Sequence, residues 1–309
     1  MLKASIDIGT NSVRLLIAEI LNNKELKPIL KKVDVVRLGA GVDKTKILSN
    51  EAMDRTINKL IEYKEILYSY KIPSVNIIAT SAVRDSQNRN VFIDKFKKKL
   101  NWEFSTITGN EEASYTFLGV KSAFPGNKLL VFDIGGGSTE FIIENDKDIN
   151  EFSINIGCVR MTERFIKKQP ITPEEYTNLR NEIENQITSA LSEIKLQNRI
   201  LIGVAGTVTT LAAMDQELFP YDINKIHKYK LSFDHIEKLH ENLKTKSVDQ
   251  IKQIKGIHPA RSDVILAGSL ICLIIMKKLL CNYLLVSESE LLEGIIKKNF
   301  KADSSLRSE

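Results

Sequence analysis

The sequence predicts an α/β protein built from two related domains facing each other. Three observations carry that expectation. Short apolar strands alternate with amphipathic stretches along the chain. A strand, an Asp-x-Gly loop and a returning strand open the first half at Asp7 and recur at Asp133. The 309 residues also correspond to roughly two domains of about 150 residues, each large enough for a core.

The elements follow in order. Residues 4–8 read as a strand and 13–20 as its return, a β-hairpin around a small polar loop. A further strand is expected near 33–37. Ser49 has the chemistry of a helix cap, and Met53, Ile57, Leu60, Ile61, Ile66 and Leu67 follow at helical spacing. Pro73 separates that helix from a strand at 75–79. Residues 93–100 read as helix, 102–107 as extended chain and 111–120 as helix, before a break at Pro125-Gly126.

The pattern then restarts, with a strand at 128–133, a loop at 134–138 and a return at 139–143. Helices are expected over 173–194, 207–214, 233–243, 259–279 and 291–300, with strands at 200–205 and 283–286. The expected division is 1–118 and 119–300, the last helix packing back on the first domain, followed by a polar, frayed tail over 301–309.

Composition narrows the function classes. With 43% hydrophobic residues and 44 Lys+Arg against 39 Asp+Glu, the chain is neither disordered nor collagen-like. Cys158, Cys272 and Cys281 are widely spaced and odd in number, which argues against a disulfide framework or zinc site and fits a reducing, cytoplasmic location. Asp7 and Arg14 interrupt the first apolar stretch, so no signal peptide is expected. The longest apolar run, 264–276, is short of the roughly 20 residues that a bilayer needs and reads as a buried helix, so no membrane partner is expected. The net charge of +5 permits an anionic ligand, and no aromatic-rich basic stripe points to nucleic acid.

Five stretches carry chemistry. In Asp7-Ile-Gly-Thr-Asn-Ser-Val-Arg14, Gly9 permits a tight turn, and Thr10, Asn11 and Ser12 offer the N–H and hydroxyl donors that a phosphate oxygen needs. Arg14 adds charge-assisted bonds, while a plain hairpin with a structural Asp7 is the alternative. Asp133-Ile-Gly-Gly-Gly-Ser-Thr-Glu140 repeats the logic. Gly135, Gly136 and Gly137 suit a backbone that wraps an anion, Ser138 and Thr139 add donors, and Asp133 and Glu140 have the hard oxygens that hold Mg²⁺ beside phosphate.

In residues 203–210, Gly206 and Thr207 open a helix whose N-terminus would attract an anion, or else simply cap it. Ser81 and Arg84 follow a strand, at the carboxyl end where ligand sites of α/β proteins collect. Glu111 and Glu112 begin a helix about 100° apart around its axis, so one of them faces a site and could orient water, unless both serve the helix dipole. Basic clusters at 95–99 and 225–230 could steer a polyanion, though a solvated face is the simpler role. The four histidines show no ligand spacing.

Together these stretches closely resemble the exopolyphosphatase/guanosine pentaphosphate phosphohydrolase family. Gly157-Cys-Val-Arg160 and Pro259-Ala-Arg-Ser-Asp-Val-Ile265 add weaker matches. The resemblance implies two ribonuclease-H-like (actin-like ATPase) domains around an interdomain cleft. It implies hydrolysis of the terminal phosphoanhydride of inorganic polyphosphate, or of the 5′ γ-phosphate of guanosine pentaphosphate, with Mg²⁺. A kinase of the same superfamily and a non-catalytic sensor of guanosine tetraphosphate are the rival readings. The oligomeric state stays open, with a homodimer allowed.

Carried over by position, the resemblance implies Glu112 as the base in preference to Glu111, Asp133 and Glu140 as metal-side carboxylates, and Arg84 as a phosphate ligand. It gives Asp7, Gly9, Thr10, Asn11, Ser12, Arg14, Ser81, Gly135, Gly136, Gly137, Ser138, Thr139, Gly206 and Thr207 phosphate-binding roles. The chain departs from the family where a Gly-Leu-Arg-Glu-Gly pattern is usual and Glu290-Leu-Leu-Glu-Gly294 stands instead. Longer relatives also carry extra C-terminal helical domains that extend a polyphosphate channel.

Overall fold

A computed structural model of the chain describes residues 1–21, 25–146, 148–194, 196 and 198–305. It divides into two compact units, Met1–Ala123 together with the segment from Ser289 onward, and Phe124–Glu288.

In unit 1, β1 (Leu2–Ile8), β2 (Ser12–Ile20) and β3 (Leu26–Val35) form an antiparallel meander. After α1 (Val42–Thr45) and α2 (Asn50–Ser69), β4 (Asn76–Ala79) joins parallel to β1. Next come α3 (Ser81–Arg84), α4 (Arg89–Leu100) and β5 (Ser105–Thr106), which completes the order β3-β2-β1-β4-β5, and then α5 (Gly109–Ala123). Successive strand residues point to opposite faces, so Ala4, Ile6, Ile8, Val13, Leu15 and Ile17 share one face. There they pack with Met53, Ile57 and Leu60 of α2 and with Phe92 and Phe96 of α4. Ser49 caps α2 by accepting from the Ala52 amide at 3.1 Å, satisfying one of the orphan donors of a helix start.

Unit 2 repeats the meander with β6 (Leu129–Ile134), β7 (Thr139–Glu144) and β8 (Ile149–Ile154). It continues with α6 (Cys158–Phe165), α7 (Pro173–Ala190), β9 (Ile200–Val204), α8 (Ala205–Asp215), α9 (Ile223–Ile226), β10 (Lys230–Ser232), α10 (Phe233–Lys244) and α11 (Val248–Ile251). The last elements are α12 (Ile265–Lys278) and β11 (Tyr283–Val286). The sheet order is β10-β11-β9-β6-β7-β8, with β9 parallel to β6 and β11 parallel to β9. Alternate residues Leu130, Phe132 and Ile134 face a core shared with α7, α8, α10 and α12. Helix α12 is apolar all round, as a helix enclosed by its own domain should be. Among the described residues no helix is long and apolar enough to cross a membrane.

The chain ends in α13 (Leu291–Ser305). Its Leu291, Leu292, Ile295 and Ile296 cover the second face of the unit 1 sheet, against Leu16, Ala18 and Ile20. Both faces of β2 are therefore buried, which explains the near-continuous apolar run at 15–18.

The structure amends several expectations. The first unit extends to Ala123 rather than 118, because α5 runs unbroken to that residue. The third strand starts at Leu26 rather than 33, ahead of the apolar run that marked it. The helix expected over 259–279 is two pieces, a 3-10 turn at Pro259–Arg261 and α12 from Ile265. The extended stretch at 102–107 pairs only over Ser105–Thr106. The last helix continues past 300 to Ser305, over part of the tail expected at 301–309, and the rest of that stretch, 306–309, lies outside the described residues. Strands β8 and β10 and helix α6 had no counterpart in the sequence reading.

Candidate functional site

The two Asp-x-Gly hairpins are built alike. Asp7 stands opposite Arg14 and Ile8 opposite Val13; Asp133 stands opposite Glu140 and Ile134 opposite Thr139. The loops Gly9–Ser12 and Gly135–Ser138 have equal length and close with the same bond, Gly9 N–H to Ser12 O and Gly135 N–H to Ser138 O, each at 3.0 Å. A Cβ on Gly9 or Gly135 would crowd that acceptor at 3.0 and 3.2 Å, which accounts for glycine at both positions.

The segment after the third strand of each meander ties down the carbonyls of its loop. In unit 1, the amides of Val36 and Arg37 donate to Asn11 O and that of Gly39 to Thr10 O, at 3.0, 2.8 and 2.9 Å. In unit 2, the first amides of α6 do the same: Cys158 to Gly135 O, and Val159 and Arg160 to Gly136 O, at 3.0, 2.9 and 3.0 Å. The Arg160 side chain adds Nε to Gly137 O at 2.6 Å. With the carbonyls held, the amides of Thr10, Asn11, Gly136 and Gly137 donate to no protein atom among the described residues. Backbone donors pinned in place without protein acceptors are the kind of arrangement that can receive an anion.

The residues facing the two aspartates differ in charge. Arg14 donates Nε to Asp7 Oδ2 at 2.8 Å and Nη1 to Glu290 Oε1 at 2.6 Å. Burial nonetheless pushes the Asp7 carboxyl up, against the opposing pull of Arg14. Asp7 and Arg14, both expected at the anion, are thus bonded to one another. In unit 2 the facing pair is Asp133 and Glu140, two carboxylates both below 4% exposed, with Ser153 Oγ donating to Glu140 Oε1 at 2.7 Å. Like charges directly opposite on a sheet repel.

Around these loops, Thr10 Oγ1 and Ser81 Oγ lie 2.7 Å apart, joining the first loop to the β4–α3 turn. Thr207 Oγ1 donates to Ile134 O at 3.4 Å, joining α8 to the second loop. Ser138 and Thr139 are buried, and Thr139 Oγ1 donates to Ile156 O at 2.6 Å, which draws it into the fold rather than toward a ligand. Gly206, the second residue of α8, lies against the Arg261 guanidinium, which a Cβ there would overlap.

The adjacent glutamates of α5 separate cleanly. Glu111 caps the helix: its Oε2 accepts from Thr108 N–H and Oγ1 at 2.8 and 2.9 Å, while the Glu111 amide donates to Thr108 Oγ1 at 3.2 Å. The Thr108 amide holds the Glu111 carboxyl below its ordinary value. Glu112 points inward, 8% exposed, with Arg84 Nη1 at 3.5 Å from its Oε2. Arg84 also donates to Ile107 O at 3.0 Å.

Sequence reasoning did not single out Glu290, Gly39, Gly157, Arg160 or Arg261 as site residues. Glu290 was noted only as a departure from a pattern, and the last three only as parts of weaker matches. Their positions depend on long-range packing that no local pattern encodes. Among the described residues no group of three or more His, Cys, Asp or Glu side chains is arranged to hold a metal, so the Asp133–Glu140 pair would need further ligands from water or substrate.

Comparison with known proteins identifies the family of the chain. The model of the Ppx/GppA phosphatase family matches residues 16–302. Exopolyphosphatase 2 of Mycobacterium tuberculosis is 35% identical over 307 residues, covering 94% of this chain and 96% of that protein. The bifunctional 3-dehydroquinate synthase/phosphatase of Fusobacterium nucleatum is 39% identical over 310 residues, covering 96% of this chain, which spans 46% of that longer relative. The crystal structure of an exopolyphosphatase from Cytophaga hutchinsonii superposes with a TM-score of 0.89 at 30% identity, covering 98% of each chain.

Proposed function

Since this chain belongs to the Ppx/GppA phosphatase family, we propose that it hydrolyses the terminal phosphoanhydride bond of inorganic polyphosphate and releases phosphate. One observation carries the assignment of the base: of the two adjacent glutamates, Glu111 is engaged in a helix cap and Glu112 is turned inward beside Arg84.

Hydrolysis requires a water molecule lined up behind the phosphorus and charge stabilisation of the equatorial oxygens. Glu112 accepts the proton of the attacking water, and Arg84 keeps its carboxylate oriented while donating toward the phosphoryl group. In each unit by itself, the amides of Thr10 and Asn11, or those of Gly136 and Gly137, are held ready to donate to phosphoryl oxygens without reorganising, because their own carbonyls are already bonded. Asp133 and Glu140 fit a divalent cation such as Mg²⁺, since their buried, facing carboxylates supply the hard oxygens it prefers, and two such ligands leave room in its shell for water and phosphate oxygens. When bound, that ion would neutralise charge on the phosphate chain.

The same machinery would serve the 5′ γ-phosphate of guanosine pentaphosphate. Phosphate release from short and long polyphosphate and from guanosine pentaphosphate, side by side with Mg²⁺ present, tests the reading. Release from polyphosphate without any acceptor is expected. Binding without turnover on every substrate would replace the enzyme by a sensor, and transfer that needs an acceptor alcohol would replace it by a kinase.

A further inference from the structure

Asp7, Arg14 and Lys31 lie on the face of the unit 1 sheet that α13 covers. At the start of that helix Glu290 reaches Arg14, and the two side chains are 6% and 13% exposed. The position of Glu290 is fixed from three sides. Gly119 of α5 lets the Glu290 backbone come into contact where a Cβ would overlap it. Ser289 Oγ donates to Gly119 O at 2.9 Å, and the Glu290 amide donates to Glu293 Oε2 at 2.8 Å. Lys31 Nζ stands 3.8 Å from both Glu290 Oε1 and Glu293 Oε1. The carboxylates of Asp7, Glu290 and Glu293 thus stand around Arg14 and Lys31, with Glu290 reaching both cations.

A guanidinium offers its planar fork to a carboxylate and to a phosphate in the same way. We propose that Glu290 is a resident counter-ligand of Arg14 that competes with the bound phosphoryl group, keeping the affinity for product phosphate low and so hastening its departure. The inference rests on the anion-binding reading of the Gly9–Ser12 loop. A phosphoryl group held by the free amides of that loop meets an arginine already bonded to Asp7 on one side and Glu290 on the other. As product leaves, the 2.6 Å contact between Glu290 and Arg14 is the arrangement the site returns to.

The test measures binding of inorganic phosphate and of tripolyphosphate by calorimetry, without divalent ion so that nothing turns over. Glu290→Gln keeps the shape and removes the charge; it should tighten both ligands about three- to tenfold and steepen the salt dependence. In an Arg14→Gln background the same change should have no effect. Unchanged or weaker binding in Glu290→Gln overturns the proposal, and so does equal tightening with and without Arg14. If Glu290→Gln does not fold, Glu290→Asp, which withdraws the carboxylate by one methylene, should tighten binding by a smaller factor, and no tightening there is equally fatal. Phosphate release by the unaltered protein is measured separately. Its absence would remove the hydrolase reading and leave the binding comparison intact.

Discussion

The hairpins at Asp7 and Asp133 are the same device with opposite electrostatics. Loop length, the closing Gly-to-Ser bond and the clasp on the loop carbonyls agree in both units. The residue facing the aspartate does not: Arg14 in the first unit, Glu140 in the second. A backbone cradle for anions is thus separable from the charge set beside it. In the first unit the residue facing the aspartate is its ion-pair partner, and in the second it is another acid.

The sharpest break between the units lies at α5, which gives unit 1 a buried carboxylate. Replacing Glu112 by Gln should lower phosphate release by about 10²- to 10⁴-fold with folding intact. Replacing Glu111 by Gln should leave the rate near normal and weaken the helix start by about 0.5–1 kcal/mol. Steady-state rates and melting curves of both variants decide it, and the reverse outcome would move the base to Glu111.

A second contrast is in acid. All four histidines lie in unit 2, and His240 is enclosed there between Tyr176 Oη at 2.9 Å and Ser269 Oγ at 2.8 Å. Burial pushes its imidazole down to about 4 from the ordinary 6.5. Between those values the unfolded chain takes up a proton that the native state refuses. Unit 2 should therefore lose about 3 kcal/mol as the pH falls from near 6.5 to 4, and recover it on neutralisation. Urea unfolding at pH 7 and 4.5, followed by circular dichroism and by the single Trp102 of unit 1, would locate the loss. A transition equally acid-sensitive in His240→Asn would remove His240 as its cause.

The facing charges can be tested directly. Glu140→Gln should raise the divalent-ion concentration needed for half-maximal activity by about 10- to 100-fold. An unchanged requirement would place the cation elsewhere. The smallest effect separates the two clasps. A Cβ on Gly157 would overlap the backbone of Gly136, whereas one on Gly39 would meet the methyl of Thr10, a side chain that can turn aside. Gly157→Ala should cost about 1–3 kcal/mol and Gly39→Ala less. Equal melting temperatures would show that the clasps are equally yielding.

Much of this was legible beforehand because it is local. The duplicated Asp-x-Gly hairpins, the Ser49 cap and the apolar helix at 265–278 each follow from residue type and spacing within a short window. The charge pairings were not legible. Arg14 reads as an anion ligand until Glu290, far along the chain, is brought against it, and Glu111 and Glu112 differ only once Thr108 and Arg84 have chosen between them. Strand β8 escaped notice because its half-exposed, mixed sequence carries weak alternation, and α6 because it spans only eight residues, although α6 is what clasps the second loop.

The covering of the unit 1 sheet by α13 also orders events during synthesis. Residues 124–288 are complete in sequence before Leu291 is made, so unit 2 can close its core while one side of the earlier sheet is still bare. At about 5–20 residues per second, that interval lasts from under ten to some thirty seconds. During it Leu16, Ala18 and Ile20 lack the cover of Leu291, Leu292, Ile295 and Ile296, and nascent chains truncated just before 291 are the species from which aggregation should begin.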